Sequence, residues 1–273
     1  MSSLELIQKR ARMARQETKN ARDALEQAER ISGFWNVLLG HLSQEEFGSV
    51  LLHLDRNAEY VRSLRDAGDP IASVLDSYRN DAQARAQTLV RALGRSFPEA
   101  VRQAGLGIDP SSRHPKYAFR DGFIRLEFDE KRLIAKVSNR EGEERQYGLD
   151  LDLLVRVLQR EHSRLFDRDF KSEPFLRSLY TAYSAVLRAE GLADGTEVPI
   201  RRVMHRLAKN LNRFSADEFN VDLASIIQSG HTTVDGHKLH LNHTRNTRQG
   251  LLLYGLEQGG YVGFISFKRE EPR

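Results

Sequence analysis

The chain reads as α+β, with a helical hairpin or bundle of coiled-coil character leading into a mixed region of short strands and helices. Three observations carry this. Apolar and small residues recur three and four apart from Leu4 to Leu93, the period of a helix face. Gly105, Gly107, Pro110, Ser111, Ser112 and Pro115 then fall within eleven residues, a loop signature between units. Beyond them, β-prone stretches alternate with helical ones, and Asp235-Gly236 gives the strongest hairpin turn in the chain. The expected division is 1–109, 116–170 and 171–273.

The first helical stretch has a heptad seam of Leu4, Ile7, Ala11, Ala14, Thr18, Ala21, Leu25 and Ala28. Alanine buries little area per turn, so this helix needs a partner that approaches closely. Residues 1–105 are therefore expected to dock on another protein, on a second copy, or on the helices that follow. Ser43 and Glu46 have the spacing of a capping box, opening a helix with Phe47, Val50, Leu51, Leu54, Ala58, Val61 and Leu64 on one face, ended by Asp66–Pro70. A third helix carries Ile71, Val74, Leu75, Tyr78, Ala82, Ala86, Leu89 and Leu93 and closes near Gly94. Such helices, joined by short turns, pack antiparallel. His41 and His53 sit singly among leucines and are expected to be structural.

After the loop, Tyr117–Phe128 and Leu133–Val137 have β character around a turn at Asp129–Lys131, and Glu143–Tyr147 adds a third short strand, giving a small antiparallel meander. Glu127, Asp129, Glu130 and Lys131 invite comparison with metal-dependent nucleases. The acid-acid-lysine order lacks the required intervening residue and marks a charged turn. Asp150 starts a helix bearing Leu151, Leu154, Val155, Leu158, His162 and Leu165.

From 173 onward the order of elements is the informative feature. Pro174 opens a helix with Phe175, Leu176, Leu179, Tyr180, Tyr183, Val186 and Leu187, ending near Gly191. Glu197–Ile200 is a short strand and Arg201–Asn212 a basic amphipathic helix burying Val203, Leu207 and Leu211. Ser215 and Glu218 form a second capping box for a helix with Phe219, Leu223, Ile226 and Ile227 inside, and Thr232–Val234 pairs with Lys238–Asn242. Leu251–Leu256 and Tyr261–Phe267 read as a further hairpin joined by Gln258, Gly259 and Gly260, and Gly255 and Gly263 mark a bulge or a close approach. Over residues 173–244 this order resembles the winged helix-turn-helix superfamily. The resemblance implies that Ala216–Gln228 takes the recognition position and Thr232–Thr244 the wing.

That helix is expected to expose Asp217, Glu218, Asn220, Asp222, Ser225 and Gln228, whose carboxylates would repel phosphates. Positive groups lie instead at Arg201, Arg202, Arg206, Lys209 and Arg213, and at Lys238, His240, Arg245 and Arg248. These nine are the expected nucleic-acid contacts. The charge census agrees: 1–109 holds 15 basic and 15 acidic residues, 110–200 holds 16 and 16, and 201–273 holds 11 and 7, so the whole excess of four lies at the C-terminal end and suits a polyanion.

His231, His237, His240 and His243 fall within thirteen residues, which raises metal chemistry. On a strand His237 and His243 stand about 20 Å apart and cannot share an ion, so neither a metal nor a catalytic residue is expected. No Walker, nucleophile-elbow or His-Glu-x-x-His pattern is present, and no cofactor is expected. Cysteine is absent, excluding disulfides, thiolate catalysis and cysteine-ligated zinc. The 33 Arg against 9 Lys fit a GC-rich bacterial genome. Neither a membrane span of about 18 apolar residues nor a secretory signal within Met1–Arg30 is apparent, and a cytoplasmic location is expected. The favoured function is that of a non-catalytic accessory subunit handling nucleic acid. In outline it is similar to the subunits that accompany SMC-type ATPases or antiphage complexes. An autonomous DNA-binding transcriptional regulator, or a hydrolase or nuclease built on Asp235 and the histidines, are the alternatives.

Overall fold

The structure is a computed structural model and describes residues 3–142, 144–209, 214–255 and 260–269. The architecture is α+β. Helices α1 (Ser3–Ser43), α2 (Phe47–Arg56), α3 (Ala58–Asp66) and α4 (Ile71–Gln103) come first. Strands β1 (Lys116–Phe119), β2 (Ile124–Asp129), β3 (Ile134–Asn139) and β4 (Arg145–Gly148) follow as an antiparallel sheet in sequence order. Then come α5 (Leu151–Phe166), α6 (Ser172–Glu190), β5 (Val198–Pro199), α7 (Ile200–Ala208), α8 (Ala216–Ser229), β6 (Thr233–Val234), β7 (His237–Thr244) and β8 (Tyr261–Arg269), with a second sheet ordered β5-β8-β7-β6. Among the described residues no helix is long and apolar enough to cross a membrane. Two compact units arise: Met1–Leu93 with Glu130–Ile134 and Tyr147–Asp150, and Gly94–Asp129 with Ala135–Gln146 and Leu151–Arg273. The division falls inside α4, and the 105–115 loop lies within the second unit.

In the first unit, α1 packs only through its last third. Phe34 and Leu38 join Val50, Leu54, Val61 and Leu75 in one core, whereas residue 4 and residues 6–30 are exposed. The expected packing of the seam on the following helices is thus corrected, and the reason is size. Between Ile7 and Phe34 the seam is mostly alanine, with Leu25 its single large residue, and offers too little area to hold a neighbour. His41 and His53 are structural: His41 Nδ1 lies 2.8 Å from Glu46 Oε2, and His53 Nε2 lies 3.0 Å from the Phe34 carbonyl with its ring stacked on Phe34. Burial lowers the His53 pKa, which keeps the stacked ring neutral.

The Ser43–Glu46 capping box does not form. Ser43 Oγ donates to Gly40 O, and Glu46 is engaged by His41. The start of α2 is capped from elsewhere in the sequence: Gly48 N–H donates to Asp150 Oδ1 (2.7 Å), and Ser49 N–H and Oγ donate to Oδ2 (2.8 and 2.7 Å). A carboxylate at a helix N-terminus satisfies orphan donors and meets the positive end of the dipole. The approach is close enough to demand glycine on both sides. A Cβ at Gly48 would lie 2.4 Å from Leu149 N, and one at Gly148 would lie 2.1 Å from Gly48 C. The helix read as continuous past Ala58 breaks at Asn57, whose side chain donates to His53 O. Helix α4 overruns its expected end at Gly94 and passes through Pro98, because Leu93, Phe97 and Val101 extend one buried stripe.

In the second unit the meander gains a strand. The run read as Tyr117–Phe128 splits at Arg120, Asp121 and Gly122, all at positive φ, and the Asp109 carboxylate accepts the N–H groups of Asp121 and Gly122. Glu143, where the third strand was expected to begin, lies outside the described residues, as do Asn210–Arg213 and the turn residues Gln258 and Gly259. Helix α6 ends at a left-handed Gly191, as its sequence implies. The expected second hairpin is corrected. Leu251 makes one bridge to Val262, while β8 pairs along β7 and also takes β5 on its other side. Its alternate residues Ile265 and Phe267 are fully buried, so burial assigns it the central place. The register skips Gly263 opposite Asn242 and His243, and a Cβ there would lie 2.6 Å from Thr244 Cβ, so the bulge and the close approach coincide. The core of this unit gathers Leu179, Tyr183, Ile200, Val203, Leu207, Phe219, Leu223, Ile226, Ile265 and Phe267.

Two outcomes follow. Gly48→Ala or Gly148→Ala should lower stability by about 2 kcal/mol or more, since backbone rather than a flexible side chain must yield, as measured by urea unfolding. Ala14→Glu with Ala21→Glu should leave the melting temperature of the isolated chain unchanged, because both positions are exposed. A large drop would show that the seam is covered.

Candidate nucleic-acid interface

Helix α8 is the first test of the expected interface, and it overturns the expectation about its exposed face. Asp217 (2% exposed), Asn220 (0%) and Asp222 (7%) are buried. The two carboxylates meet arginines of α5 and its C-terminal extension. Arg164 bonds Asp217, Glu161 (2.7 Å) and Glu218 (2.7 Å), and Arg168 bonds Asp222. Asn139 also donates to Asp217. Asn220 donates to Leu252 O at 2.8 Å and accepts Tyr254 N–H at 3.0 Å. Ser215 is the N-cap position, as expected, but its hydroxyl bonds Asp217, and Asp217 accepts the Glu218 N–H. Polar residues on two faces of α8 are thus internal, because each has a partner more than 30 residues away that sequence periodicity does not reveal.

The Asp217 and Asp222 carboxylates are thus not on the surface to repel a polyanion. Arg164 has its pKa raised by the Asp217, Glu161 and Glu218 bonds, which outweigh the lowering by burial. The Asp222 carboxyl is pushed up to about 6, chiefly by burial, against the downward pull of Arg168.

The nine expected contacts divide. Arg201 faces inward, bonding Glu141 (3.2 Å) and Gly250 O (2.9 Å), and Arg202 is exposed but paired with Glu190 at 2.7 Å. Arg206 and Lys209 are exposed on and just after α7. Arg213 lies outside the described residues. Lys238 and His240 are exposed on β7, and Arg245 and Arg248 are exposed in the loop that leaves it. There Asn246 organises a tight turn, its side chain accepting Arg248 N–H (3.0 Å) and its carbonyl accepting Gly250 N–H (3.0 Å).

Register adds residues the sequence reading missed. Lys238 stands directly opposite Lys268, and His237 opposite Arg269. Like charges directly opposite on neighbouring strands work against a sheet, and this register brings two cations together on it. Finding it required β8 to be matched to β7, and the sequence paired β8 with Leu251–Leu256 instead. The bulge turns His243 outward, whereas Leu239 on the same strand is buried. His237 lies 3.3 Å from the Tyr180 hydroxyl and 3.4 Å from Asp194. Among the described residues no three of His, Asp or Glu converge on a metal-binding arrangement, and Asp235 sits exposed in a turn within 3.5 Å of Arg177.

One further constellation was not foreseen. His162 Nδ1 lies 3.1 Å from Asp167, its Nε2 accepts Arg120 Nε–H at 2.9 Å, and Arg120 lies over Phe166. Ser163 donates to Asp167 and, with His162, lowers that carboxyl. The histidine is an acceptor held by arginine, and the serine faces the acid rather than the imidazole, so the set lacks the order of a nucleophile-activating triad. Comparison with protein-family models, with curated proteins and with solved structures gives no match.

The sign of the Asp222 effect is fixed by its raised pKa. Such a carboxyl favours folding below its unfolded value of about 4, and that contribution is lost as pH climbs through about 6. Between pH of about 4 and 7 the wild type should therefore lose about 2 kcal/mol relative to Asp222→Asn. Parallel stability curves for the two proteins would contradict the assignment.

Proposed function

We propose that the chain is a non-catalytic interaction subunit that assembles with a nucleic-acid-handling complex, its second unit touching the phosphate backbone without reading sequence. The observation that carries this is the Lys238–Lys268 pair, two exposed cations opposite each other on one sheet face, with His240 two residues along the same strand. The loop bearing Arg245 and Arg248 extends from the same strand. The winged-helix reading is supported by the succession α6, β5, α7, α8, β7, β8, with β5 completing the sheet beside β8. On that reading the wing is the segment after β7 that bears Arg245 and Arg248, rather than Thr232–Thr244. Docking through residues 1–105 is supported by the exposed seam of α1.

The alternative of an autonomous regulator needs a helix that enters the major groove. Helix α8 holds the position, but its buried Asp217, Asn220 and Asp222 bind other parts of the unit. A groove-reading role would require that network to open, at a cost of several kcal/mol for each unpaired buried charge. The hydrolase reading has no observation in its favour.

Anisotropy titrations with two unrelated duplexes at several salt concentrations test the proposal. Binding should be weak, equal for both duplexes and salt-dependent. Lys238→Glu with Lys268→Glu should weaken it about tenfold or more and flatten the logarithmic salt slope by about 2. Tight binding to one duplex only would overturn the proposal, as would salt-independent binding.

A further inference from the structure

We infer that the first helix carries its own nucleic-acid site, a cationic stripe formed by Lys9, Arg12, Arg15, Lys19 and Arg22. The neutral total for residues 1–109 hides it. Between positions 9 and 22 there are six cations, Arg10 included, and a single carboxylate, Glu17. The stripe residues are spaced three, three, four and three apart, which at about 100° per residue confines them to about 140° of the helix circumference. Arg10 and Glu17 fall together on a different side. All seven charged side chains are exposed, and no ion pair joins them among the described residues; the one ion pair within α1 is Arg30 with Glu26.

Energetics favour a bound polyanion. Lys9–Arg12, Arg12–Arg15, Arg15–Lys19 and Lys19–Arg22 are like-charge neighbours at i,i+3 or i,i+4, each destabilising the helix by about 0.2–0.5 kcal/mol. Arg12 and Arg15 have no acid at either spacing on either side. The helix thus holds a self-repelling row that added anions would relieve. The stripe extends about 20 Å, and over that length one strand of duplex DNA presents about six phosphates, at about 3.4 Å each. Charge density on the two rows is therefore comparable.

A membrane surface fits less well. Interfacial helices gather their large apolar residues on one face, whereas the exposed Leu4, Leu6, Ile7 and Met13 point in several directions around α1. The alanine seam lies beside the stripe and not beneath it, so a protein docked on Ala11, Ala14, Thr18 and Ala21 would leave the cations open.

The test uses the full chain and the same two duplexes. Arg12→Gln, Arg15→Gln, Lys19→Gln and Arg22→Gln combined should weaken binding at least tenfold at low salt and flatten the logarithmic salt slope by about 3 to 4, at about 0.9 per phosphate contact. Circular dichroism should show helix content equal to wild type or higher, since repulsion is removed. Arg10→Gln, off the stripe, should leave affinity within about twofold. The site is separable from the Lys238–Lys268 face: a wild-type salt slope in the quadruple variant overturns the stripe alone, and a wild-type slope in Lys238→Glu with Lys268→Glu overturns only the sheet face. Failure of the wild type to bind duplex, or binding to phosphatidylserine vesicles that duplex does not compete away, would also overturn the stripe.

Discussion

The second unit depends on a short row of opposite charges taken out of water together. Asp217 and Asp222 lie at buried positions of α8 and would be untenable there without Arg164 and Arg168. Because the arginines arrive from α5 and from the residue just past Phe166, the network holds α8 in one rotation about its axis. That rotation turns Phe219, Leu223 and Ile226 into the core on one side and directs Asn220 to the backbone at Leu252 and Tyr254 on another. The helix that a winged-helix reading would send into a groove is then fully occupied by its own chain. The exposed cations lie elsewhere, at Arg206 and Lys209 on and just after α7, at Lys238 and Lys268 on the sheet, and at Arg245 and Arg248 in the loop after β7.

Much of the architecture was legible because it is local. The turn at Asp235-Gly236, the glycine that ends α6 and the structural role of His41 each depend on a few neighbouring residues. The parts that could not be read depend on distant partners. Ser43 and Glu46 have the spacing of a capping box, but Asp150, about a hundred positions away, takes over that duty. The acids of α8 look solvent-facing until Arg164 and Arg168 are placed beside them. β8 seemed to pair with its nearest upstream strand, but the fully buried Ile265 and Phe267 place it in the middle of the sheet. The exposed positions of Arg245, Arg248 and Lys238 were legible, while the placing of Lys268 opposite Lys238 was not, since register is a long-range property.

Charge is also organised at two scales. Over a hundred residues the N-terminal region balances to zero, and over fourteen it does not. A helix whose sides are all exposed can keep such a local imbalance, because no packing partner dictates which side chains lie next to one another. In the second unit Asp217 and Asp222 are withdrawn to the interior, while Asp167, Glu173, Asp194 and Asp235 stay exposed.

The crossing of Gly48 and Gly148 sets limits on how this chain can change. Two backbones pass with no space for a side chain on either, and the Asp150 carboxylate reaches α2 only because they do. A substitution at one glycine cannot be compensated by a smaller residue at the other, since neither has anything left to give up. Positions 48 and 148 are therefore fixed as a pair, and neighbouring loops can lengthen or shorten only in ways that bring the two segments back to the same point. As the sequence changes over a lineage, these two glycines and the aspartate beside them should be among the last residues to vary.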